Sequence, residues 1–255
     1  MKIATYNVWN EKSNMAVRTE QLIQEIIRID ADIIGLQEVL PEFWEELTKR
    51  AGYAYHLYHI FQHRGDGLAF LSRYPLESNC FLYNSPEFQN SFALNVIFNA
   101  NGSNFSVTNV HLPWDSVLAR EKQIVAVNEY IKQRKDEFNF SVLLGDFNCV
   151  DTSSVHRFLI GEQSLLGCET IWDDIASTHA KLNGYNIAPT LDFATNPRWK
   201  DDKIKYPGEV VDRIFINGDD YEISNVSIFG TDISLETGLA PSDHYGVLAN
   251  IDFTE

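Results

Sequence analysis

Cysteine is scarce. The 255 residues hold three, Cys80, Cys149 and Cys168, and none has C-x-x-C spacing. An odd and sparse set excludes a disulfide framework and a cysteine-based zinc site. It suits a reducing compartment, and residence in the cytoplasm is expected. No apolar run approaches the roughly 18 residues of a membrane span. The opening MKIATYNVWN lacks an apolar leader and reads as a strand from its third residue. Positive charge is short as well: 20 Lys and Arg stand against 36 Asp and Glu, a net charge of −16. Such a surface repels phosphate backbones, so broad, sequence-blind nucleic-acid binding is not the default. An anionic ligand would need local cations, a bound metal ion among them. No linker rich in Gly, Pro or Ser divides the chain, and no repeat or low-complexity segment occurs. Residues 1–255 therefore read as one domain, with no obligate protein partner evident.

What is present suffices for a large core: 44% of the residues are hydrophobic and 13% aromatic. Strand-like runs recur as KIATYNVW, ADIIGLQEV, YAYHLYHIF, GLAFLSRYP, FALNVIFNA, NFSVTNVHL, FSVLLGDFN, EVVDRIFIN, NVSIFG and YGVLANIDF. Leu22, Ile23, Ile26 and Ile27 share one face of a helix over 17–29. A second helix opens at Pro41, a favoured first-turn residue. A third covers 116–134, with Val117, Ile124, Val127 and Ile131 inward. The mixed order and near-continuous apolar strands predict an α/β (α+β) fold of two mixed sheets, packed face to face with helices outside. The stretch 181–208 reads as a long irregular surface excursion.

Polar residues stand where these apolar strands end. SVLLGDFNC closes on Asp146 and Asn148. ATYNVW ends near Asn7, and IIGLQEV near Glu38. SVTNVHL carries Asn109 and His111 on one face, by its period of two. VVDRIF sets Asp212 among apolar residues, and APSDHYGVLANI sets Asp243 and His244 before a strand. A turn residue, a salt-bridged strand end or a satisfied core histidine would explain any one of them. One shared cleft explains all of them together. Four carboxylates in one cleft would repel, at about 4 kcal/mol for two like charges 4 Å apart near a surface. A divalent cation resolves that repulsion. Carboxylate and carboxamide oxygens without cysteine select a hard ion, Mg²⁺ or Mn²⁺. Cys149 reads as a small packed thiol rather than a nucleophile.

The ordered set YNVW, LQEV, GLAFLSRYP, TNVHL, GDFN, VVDRIF and SDHYGV resembles the endonuclease/exonuclease/phosphatase superfamily, from Asn7 to His244. The resemblance implies a four-layer α/β sandwich and Mg²⁺-dependent hydrolysis of a phosphate ester, a phosphodiester before a monoester. It gives Glu38, Asn7 and Asp243 to the metal. It gives Asp146, with its neighbour Asn148, to the attacking water. His244 would touch the scissile phosphate, and Asp212 would orient it. His111 matches a second catalytic histidine of the deoxyribonuclease-like members, where abasic-site endonucleases have tyrosine. The alternative is a non-catalytic phosphate-ligand binder or scaffold on the same fold.

The substrate is less legible. Nucleic acid, nucleotide, phospholipid and sugar phosphate all carry the required ester. Arg64, Trp114 and Arg120 are the candidate substrate contacts. Trp9 is placed to stack on a base or sugar, or to pack the rim. Arg198, Lys200, Lys203 and Lys205 surround Trp199, but Asp201 and Asp202 interrupt them, and an ordinary solvated loop is expected there.

Overall fold

In the run KIATYN every residue after Ile3 is buried, as are Ile3 itself and most of IIGLQEV. A strand achieves this only when both of its faces are covered. The computed structural model describes residues 1–61, 63–76, 81–84, 92–100 and 102–253; Cys80 lies outside them. In chain order the elements begin β1 (Lys2–Asn7), α1 (Met15–Ile29), β2 (Ile33–Val39), α2 (Pro41–Arg50), β3 (Tyr55–Phe61), β4 (Asp66–Ser72), β5 (Phe81–Asn84), β6 (Phe92–Ala100) and β7 (Ser103–His111). They continue with α3 (Val117–Gln133), β8 (Phe140–Asp146), α4 (Ser154–Leu159), β9 (Asp173–Asp174), α5 (Ile175–Asn183), β10 (Leu191–Asp192) and β11 (Gly208–Glu209). The last are β12 (Asp212–Asn217), β13 (Tyr221–Phe229) and β14 (Gly246–Phe253).

Two six-stranded sheets result, in the orders β13-β14-β1-β2-β4-β3 and β5-β6-β7-β8-β12-β9. Each is mixed. β1 and β2 run parallel, joined through α1, and β7 and β8 run parallel, joined through α3. The other pairs are antiparallel. One core fills the space between the sheets, with Ile3, Ile33 and Phe70 facing Leu94, Val107, Val142 and Ile214. A second lies between the first sheet and α1 and α2, built on Ala4, Tyr6, Leu22, Ile26, Phe43 and Leu47. A third lies between the second sheet and α3 and α4, built on Ile124, Val127, Leu143, Phe158 and Phe215. The α/β sandwich expected from the sequence is thus the fold observed.

Some boundaries differ. Ile27 is 43% exposed and Val117 55% exposed, so neither faces a core. Ile29 replaces Ile27 on the inner face of α1, and Val117 is the first residue of α3, before its inner stripe begins. The excursion at 181–208 has its own structure. It holds the end of α5, the β10–β11 pair and a 3₁₀ turn at Pro197–Trp199.

Candidate active site

The parity of three adjacent strands brings polar tips together. Along β8, Val142 and Leu144 face the inter-sheet core, so Asp146 faces the same way. Phe105 and Val107 do the same for His111 on β7, and Ile214 and Ile216 for Asp212 on β12. Register then sets His111 and Asp212 directly opposite Asp146, one on each side. From the facing sheet, Ile3 and Thr5 set the parity of Asn7.

Glu38 breaks this pattern. Ile34 and Leu36 face the helices, so strand parity sends Glu38 to the helix side as well. The β2–β4 pairing slips between Leu36 and Val39, and Glu38 has φ 57°. This bulge turns the carboxylate back into the inter-sheet cleft. Trp9 (φ 60°) and Asn148 (φ 48°) flank the same cleft in the left-handed region. Each such residue costs on the order of 1–3 kcal/mol. Gly145, at φ 140°, is required where it stands, because a Cβ there would lie 2.0 Å from the Val110 carbonyl oxygen.

Hydrogen bonds fix the group. Asn7 Nδ2 donates to Asp146 Oδ2 at 3.0 Å and to Glu38 Oε1 at 3.3 Å. Its Oδ1 accepts from the Trp9 N–H at 3.0 Å. Glu38 Oε2 accepts from the Asn10 N–H at 3.0 Å. Asp146 Oδ1 accepts from the Asn148 N–H at 2.8 Å, while Asn148 Nδ2 donates to the Leu112 carbonyl at 2.9 Å. His244 and Asp212 pair at 2.9 Å between Nδ1 and Oδ2. His244 Nε2 lies 3.8 Å from Asp146 Oδ2, and His111 Nε2 lies 3.7 Å from both Glu38 Oε1 and Asp146 Oδ2. Ser242 joins the elements: its hydroxyl donates to the Asn7 carbonyl at 2.8 Å and accepts from the His244 N–H at 3.2 Å.

The charges respond to this crowding. Burial alone would push the His244 imidazolium pKa down, but Asp212 and Asp146 outweigh it and hold the ring well above the usual histidine value. Burial pushes Asp146 up, Asp212 adds to the rise, and the two histidines oppose it. Burial and then Glu38 raise Asp243 to about 6. Glu38 runs the other way. Burial would raise it, but His111, the Asn10 N–H, His244 and Arg64 together bring it below the usual carboxylate range. Two carboxyls pushed upward mark a cleft short of positive charge. Its donors are oxygens and imidazole nitrogens, with no thiolate, and this fits a hard divalent cation. Among the described residues, Asp146, Asp212 and His244 offer ligand atoms within 4.8 Å of one another, a grouping able to hold a metal ion.

The remaining candidates lie outside this knot. Arg64 Nη2 donates to Asp66 at 3.0 Å, and Asp66 also accepts from Asn10, whose backbone N–H holds Glu38. Arg120 Nη1 donates to the Pro113 and Trp114 carbonyls at 2.8 and 3.0 Å, bracing the loop that exposes Trp114. Trp9 is packed between Arg18 and Arg198, whose guanidinium carbons stand 4.9 and 5.0 Å from its ring centre. Cys149 is buried and its thiol pKa is raised, chiefly by that burial, as a packed thiol should be.

The excursion departs from the solvated loop expected of it. Lys200, Lys203 and Lys205 are exposed, but Arg198 Nε donates to Ala240 O at 2.9 Å and Trp199 Nε1 to Asp243 O at 3.0 Å. Asn196 Nδ2 donates to the Ser242 and Asp243 carbonyls at 3.1 and 3.2 Å. Thr190 Oγ1 accepts from the Val211 and Asp212 N–H groups, both at 3.1 Å. The segment therefore straps the His244 loop to the Asp212 strand. Sequence reasoning missed Asn196, Thr190, Asn10 and Ser242. The only available signal was that polar residues recur in an otherwise irregular segment.

A two-sheet sandwich whose strand ends gather carboxylates, amides and two histidines defines a class. The chain belongs to the Endonuclease/Exonuclease/phosphatase family, whose model matches residues 4–244. Membership points to a hydrolase acting on phosphate esters, in a family that generally depends on a divalent metal. Solved structures share the fold. TDP2 from D. rerio, solved with a single-strand DNA product, superposes with a TM-score of 0.80 at 20% identity, covering 99% of this chain and 98% of that one. A C. elegans TDP2 gives 0.79 at 15%, covering 100% of this chain and 74% of that one. A family member from Bacteroides thetaiotaomicron gives 0.75 at 17%, covering 100% and 98%. No curated protein matches the chain in sequence.

Proposed function

We propose that residues 1–255 form one catalytic domain that hydrolyses a phosphodiester with the help of Mg²⁺, or Mn²⁺ in its place. The observation that carries this is the His244–Asp212 pair, 2.9 Å long, aimed at Asp146 from the neighbouring strand. Glu38, Asn7 and Asp243 are the residues that would hold the ion. His244 is a poor ligand by comparison, since its Nδ1 is bonded to Asp212 and the carboxylates around it favour the protonated ring. When bound, the cation neutralises charge on the phosphoryl oxygens and lowers the pKa of water.

The chain's own groups supply the rest. Asp146 accepts a hydrogen bond from water and aligns it for attack, its other contacts fixed by Asn7 and the Asn148 N–H. His244 donates from Nε2 to a non-bridging phosphate oxygen, where negative charge builds in the transition state. Asp212 accepts from Nδ1 and fixes the orientation of that ring. His111 adds a second nitrogen beside Glu38 and Asp146. A diester suits the site better than a monoester. The Arg64 charge is already paired with Asp66, so it has less to offer a second phosphate charge. The TDP2 likeness, with DNA product in the D. rerio structure, makes a nucleic-acid end a reasonable diester to try. Among the described residues no helix is long and apolar enough to cross a membrane; the sparse cysteines favour a reducing compartment such as the cytoplasm.

The test is nitrophenol release from bis(4-nitrophenyl) phosphate and from 4-nitrophenyl phosphate, with Mg²⁺ and with excess EDTA. The diester should be cleaved faster, and only with metal. Cleavage that survives EDTA, or no cleavage of either ester or of oligonucleotides, would overturn the reading and favour a non-catalytic binder.

A further inference from the structure

Asn109 stands two residues before His111 on β7, on the same face, and the proposed chemistry gives it no part. It is 0% exposed and reaches across the core to the facing sheet. Its Nδ2 donates to the Leu36 carbonyl at 2.9 Å and to the Ala69 carbonyl at 3.1 Å. Its Oδ1 accepts from Gln37 Nε2 at 2.7 Å. Leu36 and Ala69 are the last aligned pair of β2 and β4 before their register slips. Beyond them, Gln37 and Glu38 stand opposite the single residue Leu68, until Val39 pairs with Gly67. The carboxamide of Asn109 therefore ends on the bulge that presents Glu38. Gly35 leaves room for it: a Cβ there would lie 3.2 Å from Asn109 Cγ and 2.2 Å from Leu144 Cδ1.

We propose that Asn109 is a positioning residue, which holds the β2 bulge from the opposite sheet and so sets the Glu38 carboxylate against His111. Its consequence for the metal rests on the reading of Glu38 given above; its geometry does not. The amide suits the task. Carbonyl oxygens only accept, so Nδ2 must face Leu36 and Ala69, and its two N–H groups match the two acceptors. Oδ1 is then turned toward Gln37, the neighbour of Glu38 in the bulge, and Gln37 Nε2 also donates to Thr5 Oγ1 at 3.0 Å. Aspartate would bring at most one donor, and leucine, of similar size, none. Glu38 is left-handed at φ 57° without being glycine, and such a residue persists only where its surroundings over-determine it. Asn109 supplies part of that constraint. β7 thereby acts on both sides of the 3.7 Å approach of His111 Nε2 to Glu38 Oε1: it bears the histidine and braces the backbone that carries the carboxylate.

The test uses the full chain, first without metal and then with Mn²⁺. Amide hydrogen exchange of residues 36–40 reads the bulge, and Mn²⁺ titration followed by electron paramagnetic resonance reads the ligand. The control is Asn95→Ala. Asn95 is an equally buried amide of the second sheet, but it donates within that sheet, to the Ser106 and Thr108 hydroxyls, both at 2.8 Å. Asn109→Ala should speed exchange at 36–40 about tenfold beyond what its loss of stability in urea accounts for, and Asn95→Ala should not. Asn109→Ala should also weaken Mn²⁺ binding about tenfold, the low end of the roughly 10–100-fold that losing a support of a metal ligand costs. Asn109→Ser, the milder change, keeps one donor and should fall between parent and Asn109→Ala. Exchange and Mn²⁺ affinity that follow Asn95→Ala would overturn the proposal. Failure of both Asn109 variants to fold where Asn95→Ala folds would overturn it too, since the residue would then serve the fold rather than the site. A parent chain that binds no Mn²⁺ would sink the metal reading of Glu38 instead, and exchange at 36–40 would still decide the role of Asn109.

Discussion

His244 combines three properties that rarely coincide in one residue. It is buried, it is paired through Nδ1, and its other nitrogen faces a second carboxylate. His244→Ala should lower kcat by about 10²–10⁴, the usual worth of a positioned proton donor. The circular dichroism spectrum and melting temperature should stay near those of the parent; near-normal turnover would refute the role. A different buried carboxylate governs stability. Burial would raise the Asp174 pKa, but the hydrogen bond to His156 and the charge of Arg213 bring it down to about 2. Its Oδ2 meets His156 Nε2 at 2.9 Å and Arg213 Nη1 at 2.7 Å. A depressed folded pKa contributes stability above the unfolded value, and this is lost as pH falls toward the folded one. The contribution is about 2 kcal/mol, at 1.36 kcal/mol per pH unit. Urea midpoints should therefore fall between about pH 4 and pH 2 in the parent, and fall less in Asp174→Asn.

At the scale of elements, the strap from Thr190 to Trp199 sets the distance between the His244 loop and β12. Asn196→Ala leaves the Ser242 and Asp243 carbonyls without that donor. We expect kcat to fall about tenfold, equivalent to roughly 1.4 kcal/mol, with KM nearly unchanged and a modest loss of stability. A fall in stability alone would show the strap to be structural only. The strap was not legible in the sequence, because side chains that donate to backbone carbonyls impose no pattern on their partners. The strand tips were legible. Val142, Leu144 and then Asp146 leave a buried face that ends in charge, and such an ending needs a reason. The bulge at Glu38 was half legible. Its position at the end of a strand was plain, but its reversed parity was not, since no glycine marks the left-handed turn. β5, α4 and α5 were also missed. They are short, and period-based reading needs length.

At the scale of the molecule, the net charge of −16 acts on any polyanionic substrate before the site does. Proteins that bind nucleic acid through basic surfaces lose affinity as salt rises. Here screening removes repulsion instead. KM for a single-stranded oligonucleotide should fall, or at least not rise, between 50 and 200 mM salt at fixed Mg²⁺. A steep rise would reveal a local basic track that the net charge conceals. The family's fold was legible from the ordered motifs because they span both sheets. Substrate choice was not: the proposed contact Trp114 is exposed, and no periodicity constrains its surroundings.

The left-handed turns at Glu38 and Asn148 carry a consequence for how the chain can change over generations. Glycine at either position would ease the backbone, while erasing the side chain the cleft was shaped to present. Selection for robustness and selection for turnover therefore pull these two codons in opposite directions. A lineage that had abandoned hydrolysis should betray itself there first.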